Sequence, residues 1–327
     1  MAFVSKFEFA PAEWLPLQDR EMLDRVCQLD LNDHVDRQYE NPEFQAKVVF
    51  DVHNYFTADL FQRIRMSDVK NEKLVIILPS PENAVFISLA EVMNKYQVSA
   101  RNVHVFFLYE YANEKGEVAP WQSPYSRSGH FMRYFYQRLE EHLRMPMEQI
   151  HFWTKENVDT YSDLIAAEGG ADVAYTALSW SGGIGVIDAE TYPAESMEAF
   201  LSMGSRYVTP MPESLAFDSL RGMFGCSGDL GNVPPCAVTV GPKDLAAAKF
   251  RVDLEYVLAC GESLAPQLTP LKLSLLGPVD PKNPGSMMRL FPGVCYITRS
   301  LTTVGHYVPD DDLVAEKVEE IRKKEAK

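Results

Sequence analysis

Leu74-Val75-Ile76-Ile77-Leu78 decides how this chain is read. Five consecutive apolar residues leave no polar face, so the run is a strand covered on both sides, as in parallel sheets. Pro79-Ser80-Pro81 ends it. Beyond it, the spacing of Val85, Leu89 and Val92 predicts a helix over 83–96, and Val103 to Leu108 reads as a second covered strand. Residues 128–143, with Phe131, Tyr134 and Phe135, read as an aromatic helix and Gln149 to Trp153 as a strand. A helix over 159–168 is closed by Gly169-Gly170. Asp172 to Leu178 is the next strand, running into Ser179-Trp180-Ser181-Gly182-Gly183. Strands alternating with helices at this spacing are βαβ units. The expected fold class is α/β: a doubly wound, mostly parallel sheet flanked by helices, with an N-terminal helical extension.

Upstream, Asn41-Pro42-Glu43 has the form of a helix start, and Val48, Val52, Phe56, Leu60 and Ile64 continue it on one face, predicting a single helix over 42–66. Met22, Leu23 and Val26 predict a short acidic helix before it. Residues 190–235, rich in Met, Pro, Gly and Ser, read as a long lid or loop region. Val238 to Val240 and Val252 to Ala259 flank a helix over 242–249 and are expected to extend the sheet, with Val294 to Thr298 as a last strand. The division expected is an extension (1–40), one α/β domain (41–310) and a charged tail (311–327).

The composition narrows the partners. Among 327 residues, 31 Lys+Arg against 46 Asp+Glu give a net charge of -15, which repels nucleic acid and anionic membranes. No run approaches the ~18 apolar residues of a membrane span, and Met1 to Ala10 has no basic stretch followed by an apolar one. Cys27, Cys226, Cys236, Cys260 and Cys295 are scattered and never in a C-x-x-C arrangement, so neither a disulfide framework nor a cysteine zinc site is expected. These features imply a reduced, cytoplasmic protein with no cofactor and no metal.

In open α/β sheets, ligands sit outside the carboxyl ends of the strands. Here those ends are Pro79-Ser80, Tyr109-Glu110-Tyr111 and Ser179 to Gly183, which are expected to meet in one crevice.

The same segments, in this order, resemble a known family. Asn102 to Tyr111 resembles a family strand ending in Asp-Glu-Tyr, and Ser126 to Leu139 resembles its aromatic helix. Gly169 to Val173 followed by Ser181-Gly182-Gly183-Ile184 resembles its Gly-Gly-Ile-Asp-Leu strand and Asp-Gly-His-Ile turn. Cys236 to Gly241 and Asp253 to Gly261 resemble its helix, strand and closing glycine. The family is that of glucosamine-6-phosphate deaminase (isomerase), related in fold to 6-phosphogluconolactonase, ribose-5-phosphate isomerase and the CoA transferases. The resemblance implies a sugar or sugar-phosphate ligand, a homo-oligomer and a place in carbohydrate metabolism.

Its chemistry carries over unevenly. Tyr109 stands where the family has its Asp base, and Gly183 where it has its His; no His lies within ten residues of Gly183. The phosphate loop reads Ser80-Pro81-Glu82-Asn83-Ala84, in which Pro81 lacks an N–H, Glu82 repels phosphate, and Leu264 replaces a Lys. The resemblance leaves Glu110 and Asp188 as candidate catalytic carboxylates. Glu110 is placed as a general base or as a carboxylate holding a loop, and Asp188 as an acid/base or a turn cap. Ser80, Asn83, Tyr109, Ser181, Gly182, Gly183 and Arg221 are the candidate substrate-binding residues, with His130 a further acid/base on the aromatic helix. Cys226 and Cys236 have no basic neighbour and read as inert.

Three functions stay open at this point. The chain is a deaminase/isomerase acting on an amino-sugar or sugar phosphate, a catalytically inactive sugar-binding relative, or a divergent enzyme on the same fold with a non-phosphorylated substrate. Losing a positioned acid/base forfeits roughly 10²–10⁴ in rate per group, which weighs against the first.

Overall fold

Runs buried on both faces can satisfy their backbone only by pairing on both edges, and the computed structural model shows how they pair. It describes residues 10–80, 83–220, 224, 227–256, 268–303 and 323. The strands are β1 (Phe44–Val49), β2 (Leu74–Leu78), β3 (Val103–Phe107), β4 (Tyr109–Ala112), β5 (Ile150–His151), β6 (Val173–Thr176), β7 (Arg206–Val208), β8 (Cys236–Thr239), β9 (Phe250–Glu255) and β10 (Gly293–Thr298). Seven of them form one sheet in the order β1-β10-β9-β6-β2-β3-β5. Every pairing in it is parallel. All five residues of β2 are buried, with Ile76 opposite Val105 on one side and Val173 on the other.

The helices are α1 (Arg20–Gln28), α2 (Leu31–His34), α3 (Val52–Lys70), α4 (Asn83–Tyr96), α5 (Arg127–Tyr134), α6 (Tyr161–Ala167), α7 (Met197–Leu201), α8 (Pro212–Ser219), α9 (Pro242–Ala247), α10 (Leu268–Leu276) and α11 (Arg299–Thr303). The expected α/β class with a mostly parallel sheet is the observed one. From β2 the sheet order runs to β3 and β5 on one side, and through β6 to β9, β10 and β1 on the other. The order therefore reverses between β2 and β6, and a crevice opens at the carboxyl ends of strands at such a point.

Several expectations are corrected. The single helix over 42–66 is instead strand β1 followed by α3. Phe44 to Val49 pair residue by residue with β10, at the edge of the sheet, with alternating burial at the start of the strand. Asn41 caps no helix: its Oδ1 accepts from Glu43 N and its amide donates to Leu290 O. The N-cap is Asp51, ten residues later, and Val52, Phe56, Leu60 and Ile64 are the buried face of α3. The aromatic helix ends at Tyr134 and gives way to 3-10 turns over Tyr136–Arg138 and Glu141–Leu143. Val238 to Val240 does not extend the main sheet, because β8 lies between β4 and β7 in a separate antiparallel one.

The stretch read as a lid holds α7, β7 and α8. The N-terminal helix is present as α1, and its Met22 and Val26 pack on Leu273 of α10. Lys272 Nζ ties the same contact by donating to Cys27 O at 2.9 Å. Cys27, Cys236 and Cys295 are free thiols. Among the described residues, no helix is long and apolar enough to cross a membrane. Pro81, Glu82, Arg221, Cys226, Cys260, Leu264 and the tail segments 311–322 and 324–327 lie outside the described residues.

Candidate functional site

The strand ends meet as the topology requires. Ser80 after β2, Tyr109 at the start of β4 and Ser179 after β6 line one crevice between them. Its remaining walls come from the first turn of α3 (Val52, His53), from α8 (Ser214, Phe217, Asp218) and from the end of β9 (Glu255, Tyr256). Two of these side chains carry chemistry that the sequence reading did not assign.

The first is His53. Asp51 caps α3 by accepting from His53 N at 2.9 Å, and the same oxygen accepts from His53 Nδ1, also at 2.9 Å. With Nδ1–H donated, the neutral imidazole carries its lone pair on Nε2. That nitrogen is buried and has no hydrogen-bond partner. The ring packs on Tyr256 with centroids 5.1 Å apart. The dyad was hidden because residues 42–66 read as continuous helix, which places His53 in mid-helix. Its true position is a strand-to-helix junction at the carboxyl end of β1.

The second is Glu255, the last residue of β9 and 1% exposed. Burial pushes its carboxyl up to about 8, the charge of Asp253 adds to the rise, and the N–H of Leu178, 3.2 Å away, opposes it. At neutral pH the group is therefore mostly a carboxylic acid able to donate a proton. Asp253 sits two residues earlier on the same face, where burial raises it to about 6 and its hydrogen bond from Thr176 Oγ1 opposes the rise. The strand-end rule itself points to Glu255. It was missed because the apolar residues from Tyr256 to Ala259 carried the predicted strand past it.

The predicted residues divide into lining and supporting groups. Ser80 and Tyr109 line the crevice. Ser80 Oγ lies 3.1 Å from His130 Nδ1, which draws the buried His130 to the end of β2. Tyr109 lies beneath the guanidinium of Arg127, 3.8 Å from its ring centroid. Asn83 is exposed at the start of α4 and does not line the crevice.

Glu110 also stands apart from the crevice, and of its two expected roles the geometry fits the carboxylate that holds a loop. Its carboxylate accepts five hydrogen bonds at 2.7–2.9 Å, from Tyr111 N, Ser126 Oγ, Arg127 N, and the N and Oγ of Ser128. It is the anion on which the N-terminus of α5 is built. Asp188 supports the neighbouring turn in the same way. It accepts from Ser181 Oγ at 2.5 Å and from Ser214 Oγ at 3.2 Å, and burial raises it to about 6.

The glycines of that turn are packed, not open to a ligand. Gly182 N donates to Ser179 O and Gly183 N to Ser179 Oγ, so the backbone donors expected there are already used. Gly182 has φ +81°, and a Cβ on Gly183 would lie 2.0 Å from Asp188 Oδ1.

Among the described residues, no Lys or Arg lines the crevice. Arg127, the nearby guanidinium, is buried against Asp218 at 2.8–2.9 Å and against Tyr111 Oη at 2.7 Å. Burial works to lower its pKa, but Asp218 and the phenols of Tyr109 and Tyr111 outweigh it and hold the group above its usual range. What the crevice offers is hydroxyl groups from Ser80, Thr176, Ser179 and Ser214, the phenols of Tyr109 and Tyr256, one imidazole, and two carboxyl groups, Glu255 and the Asp218 paired with Arg127.

No protein-family profile and no curated protein matches the sequence. Solved structures do match. A monomeric glucosamine-6-phosphate deaminase of the NagB superfamily aligns with a TM-score of 0.63 over 80% of this chain and 99% of its own, at 16% identity. The 6-phosphogluconolactonase of Thermotoga maritima aligns with a TM-score of 0.52 over 78% of this chain and 98% of its own, at 14% identity. That of Trypanosoma cruzi gives 0.54 over 80% and 96%, also at 14% identity. This chain therefore shares the fold of sugar-phosphate deaminases and lactonases, and fold alone does not carry an activity.

Proposed function

We infer that this protein is an enzyme of carbohydrate metabolism that moves protons on a sugar-type molecule without a phosphate group. The observation that carries the reading is the pairing of two unlike groups in one crevice. His53 presents a buried, unpartnered Nε2, and Glu255 is held as an acid by its surroundings. Environments that push two titratable groups toward opposite roles are how acid and base are assigned at one pH.

The reaction class that suits them is enolisation and reprotonation, as in an aldose–ketose isomerisation. His53 takes the proton from the carbon next to a carbonyl, and Glu255 delivers its proton to the carbonyl oxygen. The enediol so formed returns through the same two groups with the hydrogens exchanged. Asp51 holds the imidazole, and the hydroxyls of Ser80 and Ser179 hold the substrate's. Glu110 and Asp188 act as positioning residues, the first through α5 and the second through the 179–183 turn. The fold neighbours act on sugar derivatives, which favours this ligand class. The lack of a lining cation among the described residues favours its unphosphorylated members.

The test is a panel of free sugars, amino sugars and lactones, each with its 6-phosphate, scored first by thermal shift and then by turnover. Stabilisation and turnover by an unphosphorylated member, lost in His53→Gln and Glu255→Gln, is the expected result. Ammonia release from glucosamine 6-phosphate that survives both substitutions would overturn it. Stabilisation without turnover would leave a sugar-binding protein.

A further inference from the structure

A second convergence of donor atoms lies away from the crevice. His104 is the second residue of β3 and His151 the second of β5. The register sets Phe106 against His151, and side chains two apart on a strand share a face, so the two imidazoles sit diagonally on one side of the sheet. Glu168, the C-cap of α6, reaches the same place from the helix that follows β5. His104 Nδ1 lies 3.4 Å from His151 Nε2 and 3.4 Å from Glu168 Oε2. The ligating atoms of all three residues fall within 4.8 Å of one another. The His151 ring is held by stacking on Phe106, with centroids 3.9 Å apart and planes 3° apart.

Three lone-pair atoms facing one point are poorly served by protons. One N–H between the imidazoles satisfies a pair and leaves the carboxylate oxygen to Lys73 Nζ, 3.1 Å away. A metal ion serves all three. Zinc binds His nitrogen at about 2.0–2.1 Å, so two ligands of a tetrahedral site stand about 3.4 Å apart. Both distances from His104 have that length.

We propose that His104, His151 and Glu168 bind a divalent cation of the zinc class, with water as the fourth ligand. Two imidazoles and one carboxylate form a borderline donor set; calcium and magnesium call for oxygen alone, and copper(I) for sulfur. Lys73 Nζ, 3.1 Å from Glu168 Oε2, competes for the carboxylate. Its side chain is 48% exposed and has solvent to swing into. The ion would staple the two-residue edge strand β5 to β3 and α6. The site is independent of the crevice and of the activity inferred there.

The test uses the full chain, treated with a chelator, dialysed and titrated with Co²⁺ and then Zn²⁺. One Co²⁺ per chain with the visible absorption of a tetrahedral site, displaced by Zn²⁺, is expected. Zn²⁺ at a hundredfold excess over its Kd should raise Tm by about 4 °C. His151→Asn and Glu168→Gln should each weaken binding at least tenfold. Lys73→Gln removes the competitor without touching a ligand and should tighten binding severalfold, which keeps the proposal testable if a ligand variant folds poorly. No tetrahedral band in the natural protein overturns the proposal. So does a band that survives His151→Asn, or an affinity unmoved by Lys73→Gln.

Discussion

Asp51 Oδ1 accepts two hydrogen bonds from His53, one from its backbone N–H and one from its ring Nδ1, each at 2.9 Å. A single oxygen thus starts helix α3 and fixes which imidazole nitrogen keeps its lone pair. These two duties separate on substitution. Asn caps a helix about as well as Asp, so Asp51→Asn should change unfolding stability by under about 0.5 kcal/mol. The imidazole loses its anionic anchor, and kcat should fall while stability holds. His53→Gln should cost about 10²–10⁴ in kcat. Chemical denaturation beside steady-state kinetics checks both, and a parallel loss of stability and activity in Asp51→Asn would sink the separation.

Glu255 and Asp253 make stability depend on pH with a definite sign. Burial raises Glu255 from 4.5 to about 8 and Asp253 from 3.8 to about 6. The folded state then binds these protons more tightly than the unfolded chain does. Their stabilising contribution is complete below about pH 4 and is lost as pH rises, Asp253 by about 6 and Glu255 by about 8. Glu255→Gln cannot ionise and should flatten the pH 6–8 part of the curve. Equal slopes in variant and natural protein over that range would contradict the assignment.

Glu110 should prove a folding residue. Replacing it by Ala leaves five buried donors around the start of α5 without their acceptor. The expected cost is about 3–5 kcal/mol. Urea unfolding measures it. Full stability with activity lost would return Glu110 to the chemistry.

Gly183→Ala and Gly182→Ala should both destabilise the turn under the crevice. A Cβ at 183 would stand 2.0 Å from Asp188 Oδ1 and 2.8 Å from Ile187 O, and at 182 it would stand 2.5 Å from the Asn283 amide at φ +81°. Overpacking of this kind costs about 1–3 kcal/mol. Gly116→Ala, with nothing within 4 Å, separates the two effects, because its φ of +73° contributes only backbone strain. Melting temperatures of the three variants give the ranking.

What was legible in the sequence follows from how local each signal is. Leu74 to Leu78 is readable because burial on both faces is written into five adjacent residues. Phe44 to Val49 was not, because an edge strand alternates, and Val48 falls by chance in helical register with Val52. The strand-end rule brought Ser80 and Tyr109 to the crevice, and of the two roles it left open for Glu110 the hydrogen bonds fit the carboxylate that holds a loop. Four of the five donors that occupy Glu110 come from Ser126 to Ser128, at a distance in sequence that no spacing rule spans. His53 and Glu255 were missed because each depends on where an element ends.

The pairing of β1 with β10 joins the chain across about 250 residues. A ribosome adding ~5–20 residues per second leaves β1 waiting about 12–50 s for its partner. His53 is carried on the turn just after β1, and β10 is also the strand between β1 and the Glu255 strand. His53 and Glu255 therefore come to share one crevice only when nearly the whole chain has been made. Synthesis order makes assembly of the crevice a late step, and a chain cut short before Gly293 has no strand on which to seat its histidine.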